Sequence, residues 1–250
     1  MQVPALQRRL EIAQLVRGLL SRVDGLAPRS AVFDLAKSLA ALMDEMQGEG
    51  IEPKALKNLD ISDVSGHWER ALLFVNIVQG YFEGGAIPDT ETRQRACVLA
   101  LAEGWKASPP NHPIIMAGST GSRGTTFQLM LAIAGLPQGA IVLPGFDFDM
   151  PSNVWDKLSD PNTGEDHPQF RFSRLLNSLG MKARQVEPWT GDATTSSARN
   201  KLISLAMRPA PATHHWQKGG PNLKNLGEAT SEITWLEAPD QRIEAMAISL

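Results

Sequence analysis

The chain has 250 residues, of which 42% are hydrophobic and 20% are charged, a composition typical of a folded globular protein. Its net charge of -3 at pH 7 argues against the dominant basic face of a stand-alone nucleic-acid binder, although local basic patches are still allowed. Cys97 is the single cysteine, which excludes an internal disulfide, a cysteine-rich zinc site and a cysteine-ligated iron–sulfur cluster within this chain. Without a membrane-spanning apolar run or a signal-peptide pattern, we expect a cytoplasmic protein with no membrane partner.

Residues 1–110 are predicted to form an all-helical unit. Apolar residues recur there at three- and four-residue spacing in four stretches, which is the pattern of helices that bury one face. The predicted inward residues are Leu6, Leu10, Val16 and Leu19, then Leu35, Leu39, Leu42 and Met46, then Trp68, Leu72, Val75, Val78 and Phe82, then Val98, Leu101 and Trp105. Ser30 is predicted to cap the second helix, and Gly48-Glu49-Gly50 to end it.

Pro109-Pro110 interrupts this pattern, because consecutive prolines disfavour helix in the residues before them. In residues 111–250 short apolar runs alternate with helical stretches, which predicts an α/β unit with a mostly parallel sheet. The predicted strands are Ile114–Ala117, Ala140–Leu143, a short one near Val186 and Ile233–Leu236, and the predicted helices are Thr126–Ala134, Gln169–Leu179, Thr195–Met207 and a last one from about Arg242. The helical patterns run up to both ends of the chain, so we expect a fragment of a longer protein.

The loop after the first predicted strand is a candidate anion site, because α/β folds bind phosphate where a strand turns into a helix. It is not a Walker A loop, since Gly124 is followed by Thr125 and the loop contains no lysine, and its glycine spacing does not fit G-x-G-x-x-G. Two interpretations stay open, a tight turn of small residues and a contact with a phosphate or a nucleic-acid backbone. The candidate contact residues are Gly118, Ser119, Thr120, Gly121, Ser122 and Arg123.

Asp147 and Asp149 follow the second predicted strand and are separated by one residue. Such a pair can hold a divalent cation, as in many sugar-nucleotide transferases, so a small metal-dependent nucleotide-sugar transferase is an alternative function. Gly145 and Pro151 flank the pair, which favours a turn capped by the aspartates.

Arg171 and Arg174 lie beside two phenylalanines at the start of a predicted helix. This mixture suits stacking on bases and neutralisation of phosphates. The other interpretation is that Phe172 belongs to the core and the arginines form a solvated face. The residues alone therefore predict a helical unit joined to an α/β unit, without a complete active site.

A set of motifs keeps its order across nearly the whole chain. It comprises His67-Trp68, Trp105 ahead of Pro109-Pro110, Pro113 to Ser122, Ile141 to Asp147, His167-Pro168-Gln169, Ala206 to Ala210 with Trp216, and Glu244 to Ile248. In this set the chain resembles the AddB family of alphaproteobacterial double-strand-break repair proteins. It departs from the family at Arg123-Gly124-Thr125-Thr126, where relatives often carry Pro-Ala-Thr, and at Phe146 and Phe148, where a leucine is common.

The resemblance implies an internal fragment of the helicase-like N-terminal half of AddB, with a helical insertion followed by an incomplete RecA-like parallel-sheet unit. AddB pairs with AddA in a helicase–nuclease that processes double-stranded DNA ends and handles single-stranded DNA. That complex is expected to use ATP and Mg²⁺, with the nuclease motifs and an iron–sulfur cluster outside this segment. The chain itself would need no cofactor and would serve as a structural, DNA-contacting scaffold, or as a module whose helical unit docks on AddA.

Overall fold

The computed structural model describes residues 4–52, 55, 72–74, 76–77, 80–81, 90–189 and 197–249. Most of these residues are helical, and two strands form a small parallel sheet, which is the α/β class predicted from the sequence. The elements in chain order are α1 (Ala5–Leu20), α2 (Val32–Glu49), α3 (Thr90–Ala107), β1 (Ile114–Ala117), α4 (Gly124–Ala134), β2 (Gly139–Val142), α5 (Ser152–Lys157), α6 (Pro161–Gly164), α7 (Phe170–Ser178), α8 (Ala198–Ala206), α9 (His215–Gly219), α10 (Leu226–Thr230) and α11 (Gln241–Ser249). Short 3-10 turns lie at Arg29–Ala31, Ala183–Gln185, Ala210–Ala212 and Gly220–Asn222.

The chain divides into two compact units, Met1–Pro144 and Gly145–Leu250. The domain boundary predicted after residue 110 lies between α3 and β1. The boundary between the two compact units lies further along the chain, after β2, so the first unit contains the sheet. No described helix is both long enough and apolar enough to span a bilayer.

The core of the first unit lies between α1 and α2. Its buried members are Ile12, Ala13, Val16, Leu20, Ala36, Leu39, Met43 and Met46. The predicted inward face of α1 is partly wrong, because Leu6 and Leu10 are 67% and 48% exposed. The buried stripe begins instead at Arg8, whose guanidinium donates to the Asp44 carboxylate on α2. Because the first buried residue of the stripe is an arginine, a search for apolar residues at helical spacing does not find where the stripe begins.

Helix α2 ends where the sequence predicts. Gly50 has a φ of +73°, the left-handed conformation that terminates a helix and suits glycine. The predicted cap at Ser30 is wrong, because this residue lies inside the 3-10 turn that leads into α2. For the third predicted helix, residues 72–74, 76–77 and 80–81 are helical, whereas positions 68, 75, 78 and 82 lie outside the described residues.

Helix α3 extends past Trp105, the last of its predicted inward residues, and buries less than predicted. It continues to Ala107, and none of its residues is fully buried. Val98 and Trp105 are half-buried, as expected of inward positions, but Leu101 is 41% exposed.

The parallel sheet is confirmed at both strands. Ile114 pairs with Gly139 and Ala117 with Val142, and α4 forms the crossover between the strands. A parallel pair needs such a crossover, because its second strand has to start again at the same end of the sheet. Gly139 suits its place, since a Cβ there would lie only 1.8 Å from the Ile133 carbonyl oxygen.

The second unit is built from helices and turns, and its described residues contain no strand. Its buried residues include Val154, Trp155, Leu158, Phe172, Leu175 and Leu176, and the last three lie on α7, which confirms the helix predicted at Gln169–Leu179. The strands predicted near Val186 and at Ile233–Leu236 are wrong. A strand needs a neighbour for its backbone N–H and C=O groups, and Trp235, at 87% exposure, lies in solvent instead.

Candidate functional site

The loop after β1 has two glycines in left-handed conformations and two hydrogen bonds donated by their N–H groups, as the tight-turn interpretation expects, and a phosphate contact stays a prediction. Gly118 and Gly121 have φ values of +79° and +65°. The Gly118 N–H donates to the Val142 carbonyl at 3.2 Å, and the Gly121 N–H donates to Ser119 Oγ at 3.2 Å. A Cβ on Gly121 would lie 2.8 Å from Met130 Sδ, so a side chain there would displace the packing beneath the loop.

An internal carboxylate occupies the N-terminus of α4. The Gly124 N–H donates to Glu49 Oε1 at 2.7 Å, and Thr125 Oγ1 donates to the Gly48 carbonyl at 3.2 Å. A helix N-terminus attracts an anion through its free N–H groups and its dipole. Glu49 therefore supplies, from within the chain, the negative charge that the sequence predicts for a phosphate at this position.

Thr120, Ser122 and Arg123 form the exposed part of the same loop. The Arg123 side chain is 78% exposed, and its Nη1 lies 4.0 Å from Glu91 Oε1. An ion pair at this distance in solvent holds an arginine only weakly. Arg123 is thus available to a phosphate group that approaches the loop.

In the second unit, the loop from Gly145 to Asp149 is clamped by one amide. Gln169 Nε2 donates to the Gly145 carbonyl at 2.9 Å, and Gln169 Oε1 accepts from the Asp147 N–H at 3.1 Å. Within the loop, Asp147 Oδ1 accepts from the Asp149 N–H at 2.9 Å. The predicted turn capped by an aspartate is therefore confirmed.

His167 connects this loop region to the end of α8. Its ring is buried, with Nε2 at 2.6 Å from the Met207 carbonyl and Nδ1 accepting from the Gln169 N–H at 3.1 Å. Since a carbonyl can only accept, the proton lies on Nε2 and the ring is neutral. Burial lowers the pKa of His167, the Met207 carbonyl and Asp147 act against this, and nearby Arg208 adds to it.

Arg208 is a second buried polar residue at this place. Its side chain is 9% exposed, Nη1 donates to Ser204 Oγ at 3.1 Å, and Nε has no hydrogen-bond partner. Burial lowers the pKa of Arg208, whereas the carboxylates of Asp147 and Asp149 raise it. An arginine keeps its proton under such opposing influences. It therefore partly balances the aspartate pair and weakens the attraction of that pair for a divalent cation.

These groups surround a cavity of about 610 Å³ within the second unit. Its lining residues are Gly145, Phe146, Asp147, Phe148, Asp149, His167, Pro168, Gln169, Pro188, Arg199, Asn200, Ile203, Ser204 and Met207. Three large apolar side chains of this lining, Phe148, Ile203 and Met207, are 54%, 49% and 46% exposed. In the described part of the chain, no group of three or more His, Cys, Asp or Glu side chains is arranged to hold a metal ion.

Arg171 and Arg174 lie on the outer side of α7 and differ in their surroundings. Arg171 Nη2 lies 3.6 Å from Glu165 Oε1, and its guanidinium carbon is 5.7 Å from the Phe170 ring centre. Arg174 is exposed one turn later. Phe172, at 1% exposure, is a core residue, which confirms that part of the solvated-face interpretation. A contact between these arginines and DNA stays a prediction.

Sequence reasoning missed the roles of Glu49, Arg199 and Ser204. Glu49 was part of a helix-ending signal, and nothing local indicates that its carboxylate reaches a residue 75 positions away. His167 and Arg208 belong to motifs that the sequence analysis singled out, but their burial is visible only in the fold. No protein-family model, curated protein or solved structure matches this chain.

Proposed function

We propose that this chain is a structural, DNA-contacting segment of an AddB-like subunit, with no complete catalytic site of its own. The observation that carries the proposal is that motifs far apart in the sequence contact one another in the second unit. Gln169 holds Gly145 and Asp147 of the Ile141 to Asp147 motif, and His167 binds the carbonyl of Met207. The Trp216 indole donates to the Leu205 carbonyl at 2.8 Å. If the motifs are those of AddB, these contacts would hold the architecture of that part of the subunit together.

The use of the polar groups supports a scaffold more than an enzyme. Both ends of the Gln169 amide and both ring nitrogens of His167 hold backbone groups in place. A general base needs a lone pair within reach of the substrate proton. In this arrangement the His167 lone pair already accepts from Gln169, so the ring serves as a positioning residue.

The β1–α4–β2 crossover supports the RecA-like part of the proposal. A parallel pair joined by a helix is the building unit of doubly wound sheets, and RecA-like domains are made of such units. In an AddB parent this unit would be part of a helicase-like domain, next to AddA, in a complex that uses ATP and Mg²⁺ on broken DNA.

For the DNA contact, we propose a backbone-directed, sequence-independent interaction. Its candidates are the exposed loop residues Thr120, Ser122 and Arg123 in the first unit, and Arg171 with Arg174 in the second. Arginine and hydroxyl side chains are common phosphate partners, and such contacts position a protein without reading bases. The net charge of -3 predicts a modest affinity that depends on a few local cations.

The test is fluorescence anisotropy of the full chain with a labelled DNA duplex that carries a single-stranded tail, together with an ATPase assay in Mg²⁺. We expect binding that weakens with salt at a log–log slope of about -3, as for about three phosphate contacts, and no ATP hydrolysis. Robust Mg²⁺-dependent ATP hydrolysis by the isolated chain would contradict the proposal. Absence of any salt-dependent DNA binding would remove its DNA-contacting part.

A further inference from the structure

We propose that the cavity beside the Gly145 to Asp149 loop binds an arginine or lysine side chain of a protein partner. The site is distinct from the DNA contact, because its lining is acidic where a phosphate contact would be basic. It does not rest on the proposed DNA binding, and each of the two ideas can fail alone.

The charges around the cavity favour a cation. Its ionisable lining groups that carry charge are Asp147, Asp149 and Arg199. Arg199 is engaged, since its Nη1 lies 3.5 Å from Glu232 Oε2 and its Nε donates to a backbone carbonyl at 3.1 Å. Arg208 donates to Ser204 Oγ and interacts electrostatically with both aspartates. The carboxylates of Asp147, Asp149 and Glu232 against the guanidinium groups of Arg199 and Arg208 leave a net charge of -1. This net charge repels a phosphate and attracts a cationic group.

Asp147 supplies the acceptor. Its Oδ1 accepts from the Asp149 N–H, and its Oδ2 makes no hydrogen bond or ion pair with any described residue. The loop is held by Gln169, so the carboxylate keeps its orientation when a ligand arrives. A guanidinium or ammonium group forms its strongest hydrogen bonds with such an ionised oxygen.

The mouth of the cavity suits the stem of the same side chain. Phe148, Ile203 and Met207 line the cavity, and each is about half exposed, so the apolar part of the lining is open to solvent. Arginine and lysine bury their methylene stems on apolar surface while the charged end reaches a polar partner. A guanidinium group also stacks on an aromatic ring such as that of Phe148.

The size and the exposed apolar rim favour a polypeptide over a free amine. A cavity of about 610 Å³ is large enough for a long side chain and part of its flanking backbone. Half-exposed Phe and Met side chains around an acidic interior are typical of a surface that a protein partner covers. The occupant is therefore a partner segment in which an arginine or lysine is flanked by apolar residues.

The probe is the peptide acetyl-Phe-Arg-Leu-amide, compared with its citrulline analogue, which has the same shape without the charge. Binding to the full chain is followed by the methyl NMR signals of Ile203 and Met207. Ile243 and Met246 on α11, in the same unit, are the internal controls. We expect the arginine peptide to shift the first two signals and to bind about 10-fold more tightly than the citrulline peptide. Equal affinity of the two peptides, or no shift of either cavity methyl, would overturn the proposal.

Two variants locate the contact. Asp147→Asn keeps an oxygen for the Asp149 N–H and keeps the backbone bond to Gln169, but loses the charge, so we expect about 10-fold weaker peptide binding. Ile203→Lys places a competing cation at a half-exposed position and lowers affinity without disturbing the core. Glu244→Gln, an exposed charge change on α11, serves as the matched control and leaves affinity unchanged. Unaltered affinity in both cavity variants, or displacement of the peptide by a single-stranded oligonucleotide, would reject a protein partner at this site.

Discussion

The carboxylate of Glu49 accepts a hydrogen bond from the Gly124 N–H at 2.7 Å and so joins the end of α2 to the start of α4. The opposite partial charges of the two helix ends support the contact, since a C-terminus is negative and an N-terminus is positive. The Gly48 carbonyl at the same place accepts from Thr125 Oγ1 and, at 3.1 Å, from Arg95 Nη1. Three elements of the first unit are thus held at one point beside the candidate DNA-contacting loop.

Gly124→Ala should destabilise this junction. A Cβ there would lie 2.7 Å from both Glu49 Cα and the Gly48 carbonyl oxygen, so the helix ends would have to move apart. Overpacking of this kind costs about 1–3 kcal/mol, and we expect a lower urea midpoint. The matched control is Gly135→Ala at the other end of α4, where the nearest atoms would be 3.6 Å away. An equal effect of the two substitutions would show that the close approach is not what matters.

Removal of the Glu49 carboxylate should have a graded effect. Glu49→Ala removes the acceptor for the Gly124 N–H, which we expect to cost about 0.5–2 kcal/mol, as for the loss of a helix cap. Glu49→Gln keeps an oxygen acceptor but loses the charge, so its cost should be smaller. Glu45→Ala, an exposed position on the same helix, is the control. The measurement is the free energy of unfolding in urea, and a Glu49→Gln effect as large as that of Glu49→Ala would assign the contribution to charge alone.

The neutral His167 ring should make stability depend on pH. Burial lowers its pKa in the folded protein, so the unfolded chain, with a pKa of about 6.5, takes up the proton first. Stability is full above that value. It falls as the pH drops below about 6.5, by up to about 1.4 kcal/mol per pH unit, until the folded-state pKa is reached. Urea midpoints at several pH values measure the slope.

His167→Asn tests this dependence. It removes the titrating group, so we expect lower stability at neutral pH, by about 1–3 kcal/mol, together with a flatter profile between about pH 6.5 and the acid limit. Leu175→Val, a core substitution in the same unit, should lower stability and keep the wild-type slope. If the Asn variant keeps that slope as well, the dependence comes from other groups.

Charge reversal of the candidate arginines should weaken DNA binding without changing its sequence preference. Arg123→Glu removes the most exposed cation of the loop, and we expect about 10-fold weaker binding at low salt and a salt slope smaller by about 0.9. Arg171→Glu with Arg174→Glu tests the second unit in the same way. Arg242→Glu on α11 changes the net charge as much as Arg123→Glu does and controls that variant for long-range effects. Affinity that falls as much in Arg242→Glu as in Arg123→Glu would indicate a net-charge effect without a specific contact.

The sequence predicts those elements whose signal is local. Strands β1 and β2 are contiguous apolar runs, and the stripe of α7 has helical spacing, so their positions follow from neighbouring residues. The turn at Asp147 is equally local, because the acceptor and its donor N–H are two residues apart. Such features need no knowledge of the rest of the fold.

The failures share a dependence on distant partners. Ile233–Leu236 has a strand composition, yet no described strand lies beside it to complete a ladder. The buried stripe of α1 includes Arg8 only because Asp44 meets it from another helix. The cavity of the second unit likewise depends on four segments that come together only in the fold. Motifs in these cavity-lining segments can be recognised in the sequence, but nothing in the sequence indicates that the segments contact one another.

Helix α3 has a consequence for local unfolding. It has 18 residues, none of them fully buried, and it exposes Leu99 and Leu101. Because the cost of opening a segment grows with the apolar surface it buries, α3 should open at a lower free energy than α2 or α4. Its amides should exchange with deuterium first, and each opening would release Arg95 from the Gly48 carbonyl. The junction at Gly124 is held by three hydrogen bonds, and in the small fraction of molecules with α3 open it would lose the one from Arg95.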